Sequence, residues 1–269
     1  MSETPTNPPV PEISRFLLRG FRRYSRRMIR KQFHAVAMLR EGLAAARGIA
    51  PDQPLIVYGN HPGWWDPLAA HLVCETCFPD RDFFAPIDAA ALQRYRILAR
   101  LGFYPLEMGT ATGAANFLRC SRAILDRPAA SLWLTPEGRF CDPRDRSAEL
   151  MPGLAHLCSR LERCAIVPLA IEYPFWEERL PEMLMALGDP IDVAAHREMS
   201  KSDWRGLLAE RLRGTQDQLA RVAIDRDTEA LDIVLRGGRG SGAGYDLARR
   251  VRSLFSGTRY QASHGGKLQ

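Results

Sequence analysis

The sequence predicts an α/β protein with a mostly parallel central sheet covered by helices, preceded by an N-terminal amphipathic basic helix. Short apolar runs alternate with segments of helical periodicity between residues 54 and 224, which is typical of strand–helix–strand units. The 269 residues are 46% hydrophobic and 25% charged, enough to bury the core of one domain with helical additions. Positive charge is concentrated at the N-terminus, because residues 1–50 hold ten Lys and Arg against three Asp and Glu, whereas the whole chain has a net charge of +6.

The first predicted strand is the apolar run at 54–59, and the helix after it, 66–77, begins with Asp66 and Pro67, a pair typical of a helix start. Apolar runs and helical patterns then alternate up to residue 171. They predict strands at 82–86, 103–106, 132–135 and 166–171 and helices at 88–100, 112–127 and 152–163. An edge strand at 184–187 and a helix at 201–224 complete a predicted domain over residues 49–236.

Residues 1–13 are proline-rich and polar, which predicts a disordered N-terminus without the apolar core of a secretory signal. Residues 14–48 are predicted to form a basic amphipathic helical segment at a membrane surface. Leu17, Phe21, Tyr24 and Met28 recur at helical spacing and form its apolar stripe. Its cations are Arg15, Arg19, Arg22, Arg23, Arg26, Arg27, Arg30 and Lys31.

An anionic membrane surface is the partner that this helix fits best, because its stripe would enter the acyl boundary while its arginines meet lipid headgroups. Two alternatives stay open: a helix packed on the domain, and nucleic-acid binding through the arginines, which we do not expect. No run approaches the ~20 apolar residues of a membrane span. We therefore expect a cytoplasmic protein bound peripherally to the inner face of the cytoplasmic membrane.

Residues 237–244 form a glycine-rich linker, since the segment lacks the Lys-Ser/Thr of a phosphate-binding loop. Residues 245–269 are predicted to form a short helix and a tail, either a second surface anchor or a helix docked on the core. The six cysteines lie in helical or apolar contexts, as reduced thiols do. His71, Cys74 and Cys77 recur every third residue, but a single Cys-x-x-Cys is a weak metal signal and we expect no metal.

The chemistry is predicted at the corner between the strand at 54–59 and the helix at 66–77. His61 and Asp66 stand there with four residues between them. A histidine at this corner can act as a general base near neutral pH, and a carboxylate can fix its tautomer. The alternative is a structural one, with Asp66 capping the helix and His61 an ordinary turn residue.

Two further predicted strands carry short motifs: Pro-Glu-Gly-Arg at 136–139 follows the end of one, and Val-Pro at 167–168 lies early in the other. In this order and spacing, the His-x4-Asp, Pro-Glu-Gly-Arg and Val-Pro blocks resemble the glycerolipid acyltransferase family, the lysophospholipid or 1-acylglycerol-3-phosphate acyltransferases, over roughly residues 50–190. The resemblance implies that His61 deprotonates the acceptor hydroxyl and that Asp66 orients its imidazole. It implies a cofactor-free reaction with acyl-CoA or an acyl-carrier protein as co-substrate.

The resemblance also implies the substrate-binding residues. Asn60 precedes the histidine as in the family motif, and Glu137, Gly138 and Arg139 are expected at the polar head of the acceptor. Val167 and Pro168 are expected to shape the acyl-donor side. Trp64 and Trp65 are expected to wall the acyl or acceptor channel, or else to plug the core or anchor the corner at a bilayer interface.

The motif blocks depart from the family pattern at two places. Thr135 replaces the usual phenylalanine, and Arg139 replaces the usual threonine, of the third block. The segment 102–108 lacks the arginine that meets the acceptor phosphate in the family. Arg139, Arg144 and Arg146 are candidates to supply that charge, although the acidic residues beside them would also pair with them.

The predicted function is an O-acyltransferase that transfers a fatty acyl group from acyl-CoA or acyl-carrier protein to a lysophospholipid-like hydroxyl. No Gly-x-Ser-x-Gly elbow is present, so direct attack by the activated acceptor is preferred over an acyl-enzyme. Backbone amides at the start of the 66–77 helix are the expected oxyanion donors. The alternatives are a non-phosphate acceptor, such as a lyso-aminolipid or glycosylated lipid, and a non-catalytic lipid-binding protein.

Overall fold

The computed structural model describes residues 10–238, and a nine-stranded sheet runs through them. The strands are β1 (Ala35–Leu39), β2 (Leu55–Gly59), β3 (Asp82–Asp88), β4 (Phe103–Leu106), β5 (Ala130–Leu134), β6 (Ala165–Glu172), β7 (Met183–Leu187), β8 (Ile191–Asp192) and β9 (Leu231–Arg236). Their order across the sheet is β4-β3-β5-β2-β6-β7-β1-β9, with β8 paired to β6 beside this path. Most of the predicted disordered N-terminus and glycine-rich linker, and the whole predicted C-terminal helix, lie outside the described residues.

Helices cover both faces of this sheet. They are α1 (Arg15–Gln32), α2 (Leu43–Arg47), α3 (Asp66–Cys77), α4 (Ala89–Arg94), α5 (Ala111–Leu125), α6 (Pro152–Cys158) and α7 (Lys201–Asp225), with short 3-10 helices at Arg96–Leu101 and Val193–His196. Their starts follow from the sequence. Pro67 occupies the first turn of α3, and Ser200 and Asp203 form a capping box at α7.

The sheet is mostly parallel, which confirms the predicted α/β class. β2 lies between β5 and β6 and is parallel to both, and β3 is parallel to β5 and β4. The antiparallel pairs are β6 with β7, β6 with β8, and β1 with β9. Two of the predicted motif blocks follow β2 and β5, and the third lies in β6. These three strands are parallel neighbours, so the sheet brings the blocks close together.

Alternate residues of β2 enter separate core clusters on the two faces of the sheet. Leu55 and Val57 belong to the cluster that α1 and α3 cover. Ile56 and Tyr58 belong to the cluster that α5, α6 and α7 cover. All five residues of β2 are buried, which explains why the strand reads as a continuous apolar run instead of an alternating one.

The predicted 14–48 helical segment is corrected by the structure. Helix α1 begins after Ser14, as predicted, but it ends at Gln32, and the chain then forms β1, whose five residues are all buried in the sheet. Leu17, Phe21 and Met28 of the predicted stripe pack against the core, whereas Tyr24 is exposed. The apolar face of α1 is therefore largely used for docking on the domain, and the domain itself begins before residue 49.

Four other elements differ from the predictions. Strand β7 is internal, between β6 and β1, where the sequence predicted an edge strand. Helix α7 does not end the core, because β9 follows it and pairs with β1. The predicted helix at 88–100 is broken at Tyr95 into α4 and a 3-10 helix, and the predicted helix at 152–163 ends at Cys158.

No helix within residues 10–238 combines the length and the hydropathy required to cross a bilayer.

Candidate active site

The predicted catalytic corner lies where β2 ends and α3 begins. Asn60, directly after β2, is buried, and its amide is fully engaged by the neighbouring strand β6. Its Nδ2 donates to the carbonyl oxygen of Ile171 at 3.0 Å, and its Oδ1 accepts from the amide of Ile171 at 2.8 Å. These two hydrogen bonds attach the corner to β6. The substrate contact predicted for Asn60 stays a prediction.

His61 and Asp66 are in direct contact, as the spacing predicts. His61 Nδ1 lies 2.5 Å from Asp66 Oδ2, and the Asp66 side chain is 3% exposed against 22% for His61. With Nδ1 held by the carboxylate, Nε2 is the nitrogen left to face a substrate, and within residues 10–238 it has no hydrogen-bond partner. This is the arrangement of a general base with a carboxylate orienter.

Two further donors fix the Asp66 carboxylate. The backbone amide of Gly63 donates to Oδ2 at 3.0 Å, and the hydroxyl of Tyr173 donates to Oδ1 at 2.5 Å. Burial, and then the negative charge of Asp66, raise the pKa of Tyr173 well above its usual value. The phenol is therefore protonated at any physiological pH and serves as a permanent donor to the carboxylate.

Glu137 is buried and contacts the backbone of His61, the candidate base. Its Oε2 accepts from the amide of His61 at 2.8 Å, and its Oε1 accepts from Arg213 Nη1 at 2.9 Å. Arg213, on α7, also donates to Gln216 Oε1 at 2.6 Å and to the carbonyl oxygen of Ala148. The acceptor contact predicted for Glu137 stays a prediction, but both its oxygens are engaged by protein donors.

The turn after β5 closes over the other side of His61. The amide of Cys141 donates to the carbonyl oxygen of His61 at 3.0 Å, so the histidine backbone is held at both its amide and its carbonyl. Gly138 has a φ of +66°, and a Cβ there would lie 2.4 Å from Met151 Sδ. The positive φ favours glycine at this position, whereas the exposed Met151 side chain has room to move away from a Cβ.

Two side chains of the same turn face outward. Arg139 is exposed, and its guanidinium makes no ion pair or hydrogen bond within the described part of the chain. Phe140 is 60% exposed, and its ring centroid lies 4.5 Å from that of His61. An unpaired cation and an aromatic ring therefore flank the candidate base.

The two tryptophans of the corner have different environments. Trp65 is partly buried and packs edge-on against Phe33 at 5.1 Å, which corresponds to the core-plug alternative. Trp64 is 62% exposed and meets Trp65 edge-on at 5.1 Å. A role in walling a substrate channel stays a prediction, and the exposed Trp64 is better placed for it than Trp65.

Val167 and Pro168 are buried within β6. They pair in register with Val57 and Tyr58 of β2, directly before the catalytic corner. Their contact with the acyl donor stays a prediction, and the structure places them as the support beneath the corner.

The three arginines predicted to hold a phosphate are not equivalent. Arg144 pairs with Asp142 at 2.8 Å, and Arg146 pairs with Asp217 at 2.7 Å. Arg139 is the member of the three without such a pair in the described residues. It is therefore the one whose charge is available to a ligand.

His71, Cys74 and Cys77 lie on α3 but do not form a metal site. Burial lowers the pKa of His71 to about 3 and raises the pKa of Cys74 to about 12. The His71 ring stacks on Phe83 with centroids 3.8 Å apart. Among residues 10–238 no group of three or more His, Cys, Asp or Glu side chains is arranged to hold a metal ion.

The sequence analysis missed Tyr173 and Arg213. Tyr173 directly follows β6, five residues after Pro168, so the end of that strand was the signal that could have found it. Arg213 lies within an arginine-rich helix, and no local pattern separates it from its neighbours. Its role follows only from its contact with Glu137, 76 residues away in the sequence.

Comparison with known proteins agrees with this geometry. A family model described as Acyltransferase matches residues 34–172, more than half of the chain. A search of the curated proteins finds no significant match. The matched region contains β1 to β6, the His61–Asp66 pair and the Glu137 turn. The chain therefore belongs to the glycerolipid acyltransferase family and is an acyltransferase.

Proposed function

We propose that this acyltransferase transfers a fatty acyl group from an acyl-CoA or acyl-carrier-protein thioester to the hydroxyl of a lysophospholipid-like acceptor. The observation that carries the proposal is the hydrogen-bonded chain from Tyr173 through Asp66 to His61, which leaves Nε2 of His61 free to take a proton. A carrier or scaffold protein has no use for such a chain.

The reaction needs a base, a close approach and a site for negative charge. His61 Nε2 removes the proton of the acceptor hydroxyl, and the oxygen forms a bond to the thioester carbonyl carbon. The tetrahedral intermediate then expels the thiolate, which takes the proton from the imidazolium. The products are an ester and a free thiol, and no bond to the protein is required.

The hydrogen bonds at the start of α3 reduce the number of backbone amides that could donate to the oxyanion. The amides of Gly63, Asp66 and Leu68 already donate within the corner. The amides of Trp64 and Trp65 make no hydrogen bond within residues 10–238, and we propose them as the donors to the developing oxyanion. They belong to the turn that carries His61, so they are close to the reacting atoms.

The headgroup of the acceptor is proposed to meet Arg139, the unpaired cation beside the base. Trp64 and Phe140 are proposed to line the path of the acyl chain, because both are large, apolar and exposed at the site. One unpaired arginine is a weak phosphate site, and the arginine that meets the acceptor phosphate in the family is missing from segment 102–108. A non-phosphate acceptor, such as a lyso-aminolipid or glycosylated lipid, is therefore the second candidate.

Membrane association through α1 is part of the proposal. Arg19, Arg23, Arg27 and Arg30 are exposed and form no ion pair within the described residues. Such a cationic helix face supports peripheral binding to an anionic bilayer, where the acceptor resides. We place the protein at the cytoplasmic face of the cytoplasmic membrane on this ground.

The test measures thiol release from a long-chain acyl-CoA and from an acyl-carrier protein. Lysophospholipids, a lyso-aminolipid and a glycosylated lipid are offered in vesicles. His61→Ala is expected to reduce acceptor-dependent release by about 10²–10⁴-fold, the usual contribution of a general base. His196→Ala, a change of a histidine far from the corner in sequence, is the matched control and should retain release.

The acceptor that supports release identifies the substrate class. If folded wild-type protein releases no thiol with any acceptor from either donor, the acyl-transfer assignment to this site is wrong. The non-catalytic lipid-binding alternative would then be preferred.

A further inference from the structure

A groove of about 560 Å³ lies between the first half of α1 and the 3-10 helix at Arg96–Leu101. Its floor includes Leu17, Phe21 and Leu98, which pack against the core. Its volume falls within the range of about 300–1,000 Å³ that small-molecule sites occupy. The groove is separate from the catalytic corner, because Gly20 precedes Phe33, which contacts Trp65, by 13 residues, roughly 20 Å of helix.

The rim of the groove is unusually apolar for a protein surface. Phe16, Tyr24 and Ile97 are 76%, 60% and 55% exposed. Contiguous exposed apolar side chains of this size mark interaction sites more often than ordinary surface. The rim therefore resembles a surface that a ligand or partner covers in the functional state.

Gly20 is one of the residues that line the groove. A Cβ at this position would meet no atom within 4 Å, so no packing constraint demands a glycine. A glycine inside a helix costs about 1 kcal/mol relative to alanine. A longer side chain at position 20 therefore has room to enter the groove without disturbing the helix.

The charges beside the groove are positive and unpaired. Arg19 and Arg23 line it and make no ion pair or hydrogen bond within residues 10–238. On the same helix, Arg15 pairs with Asp82 at 2.7 Å and Arg26 with Glu75 at 3.2 Å. Among residues 10–238, no acidic side chain lines the groove. An apolar trough with two free guanidinium groups is complementary to an apolar chain that ends in a phosphate.

We propose that this groove binds one anionic membrane phospholipid, with an acyl chain along the trough and the phosphate on Arg19 and Arg23. The inference rests on the membrane association in the proposed function and gives it a defined lipid site. The lipid bound there is a second ligand, distinct from the acceptor at His61.

The first test is calorimetric titration of the full chain with dihexanoyl phosphatidylglycerol below its micellar concentration. Gly20→Gln fills the trough without adding charge or an apolar anchor, and we expect it to weaken binding at least tenfold. Gly206→Gln is the matched control, because Gly206 lies on α7 and a Cβ there also meets nothing within 4 Å. Glutamine favours helix over glycine, so both variants should unfold at or above the wild-type temperature.

A second arm separates the chain from the headgroup. Glycerol phosphate and inorganic phosphate are titrated alone and are expected to show no saturable binding. The double variant Arg19→Gln/Arg23→Gln should lose much of its preference for phosphatidylglycerol over phosphatidylcholine vesicles, whereas Arg211→Gln, on α7, should keep it.

The outcomes are distinguishable. Saturable binding that Gly20→Gln weakens and Gly206→Gln does not supports the site. Equal binding by the two glycine variants overturns it in favour of surface charge alone, and so does binding of inorganic phosphate. Absence of binding by the wild type also overturns the proposal. The groove would then be filled by another segment of the chain or by a second copy. His61→Ala should titrate like wild type, so failure of acyl transfer does not affect this result.

Discussion

Replacing Arg213 by methionine would test whether its buried ion pair with Glu137 stabilises the corner that carries His61. The Arg213 and Glu137 side chains are 14% and 1% exposed, and their charged atoms lie 2.9 Å apart. The substitution removes the arginine's hydrogen bonds and leaves a buried carboxylate with the His61 amide as its one remaining hydrogen-bond donor in the described residues. Breaking a buried pair from one side costs about 3–5 kcal/mol.

At about 2–4 °C per kcal/mol for a protein of this size, the expected fall in Tm is roughly 6–20 °C. Arg205→Met is the matched control on the same helix, because its pair with Glu149 is 47% and 82% exposed. An exposed pair of this kind contributes about 0–1 kcal/mol. The assay is thermal unfolding of the wild type and both variants, followed by denaturant titration.

The double variant Arg213→Met/Glu137→Gln should recover much of the loss, because it no longer buries an unpaired charge. Acyl transfer should fall in Arg213→Met, since Glu137 also holds the His61 amide. If Arg213→Met and Arg205→Met lose the same stability, within about 1 kcal/mol, the buried pair does not support the corner.

Two other predictions concern buried titratable groups. Tyr173→Phe keeps the ring but removes a hydrogen bond to the Asp66 carboxylate worth about 1.5–3 kcal/mol, so kcat should fall about 10–100-fold with KM little changed. Unchanged kcat would rule out a positioning role. Burial raises the pKa of Glu182 from 4.5 to about 7, so folding favours its protonated form. Its contribution to stability is complete below about pH 4.5 and is lost as the pH rises through about 7. The difference in stability between the wild type and Glu182→Gln isolates the contribution of this carboxyl together with its coupling to His34 and Glu178. The difference should decline by about 3 kcal/mol over that range, and a flat difference would contradict this.

The elements that the sequence predicted best are those with a local cause. Helix α3 has the predicted bounds because Asp66 and Pro67 start it and the apolar pattern continues to Cys77. Strand β4 has the predicted bounds because it is a short apolar run directly after Gly102, whose φ is +100°. The His61–Asp66 contact was predictable for the same reason, since five residues of chain fix it.

The elements that were missed have distant causes. Strand β1 is five residues that follow a basic helix and include two alanines, and it becomes a strand because β7 and β9 lie on its two sides. The contact of Tyr173 with Asp66 spans 107 residues. Hydrogen bonds of this kind depend on the order of strands in the sheet, which periodicity in one sequence does not specify.

The position of β1 between β7 and β9 has a consequence for the way the chain acquires its structure. During synthesis, β1 finds its hydrogen-bonding neighbours only after residues 183–187 and 231–236 have followed. Contacts between such distant parts of a chain form slowly, and an unpaired strand edge invites association with other chains in the meantime. A fragment ending at residue 172 would contain all three predicted motif blocks but neither Tyr173 nor a partner for β1. The stretch that carries the predicted motif blocks is therefore not sufficient to complete the sheet on which they lie.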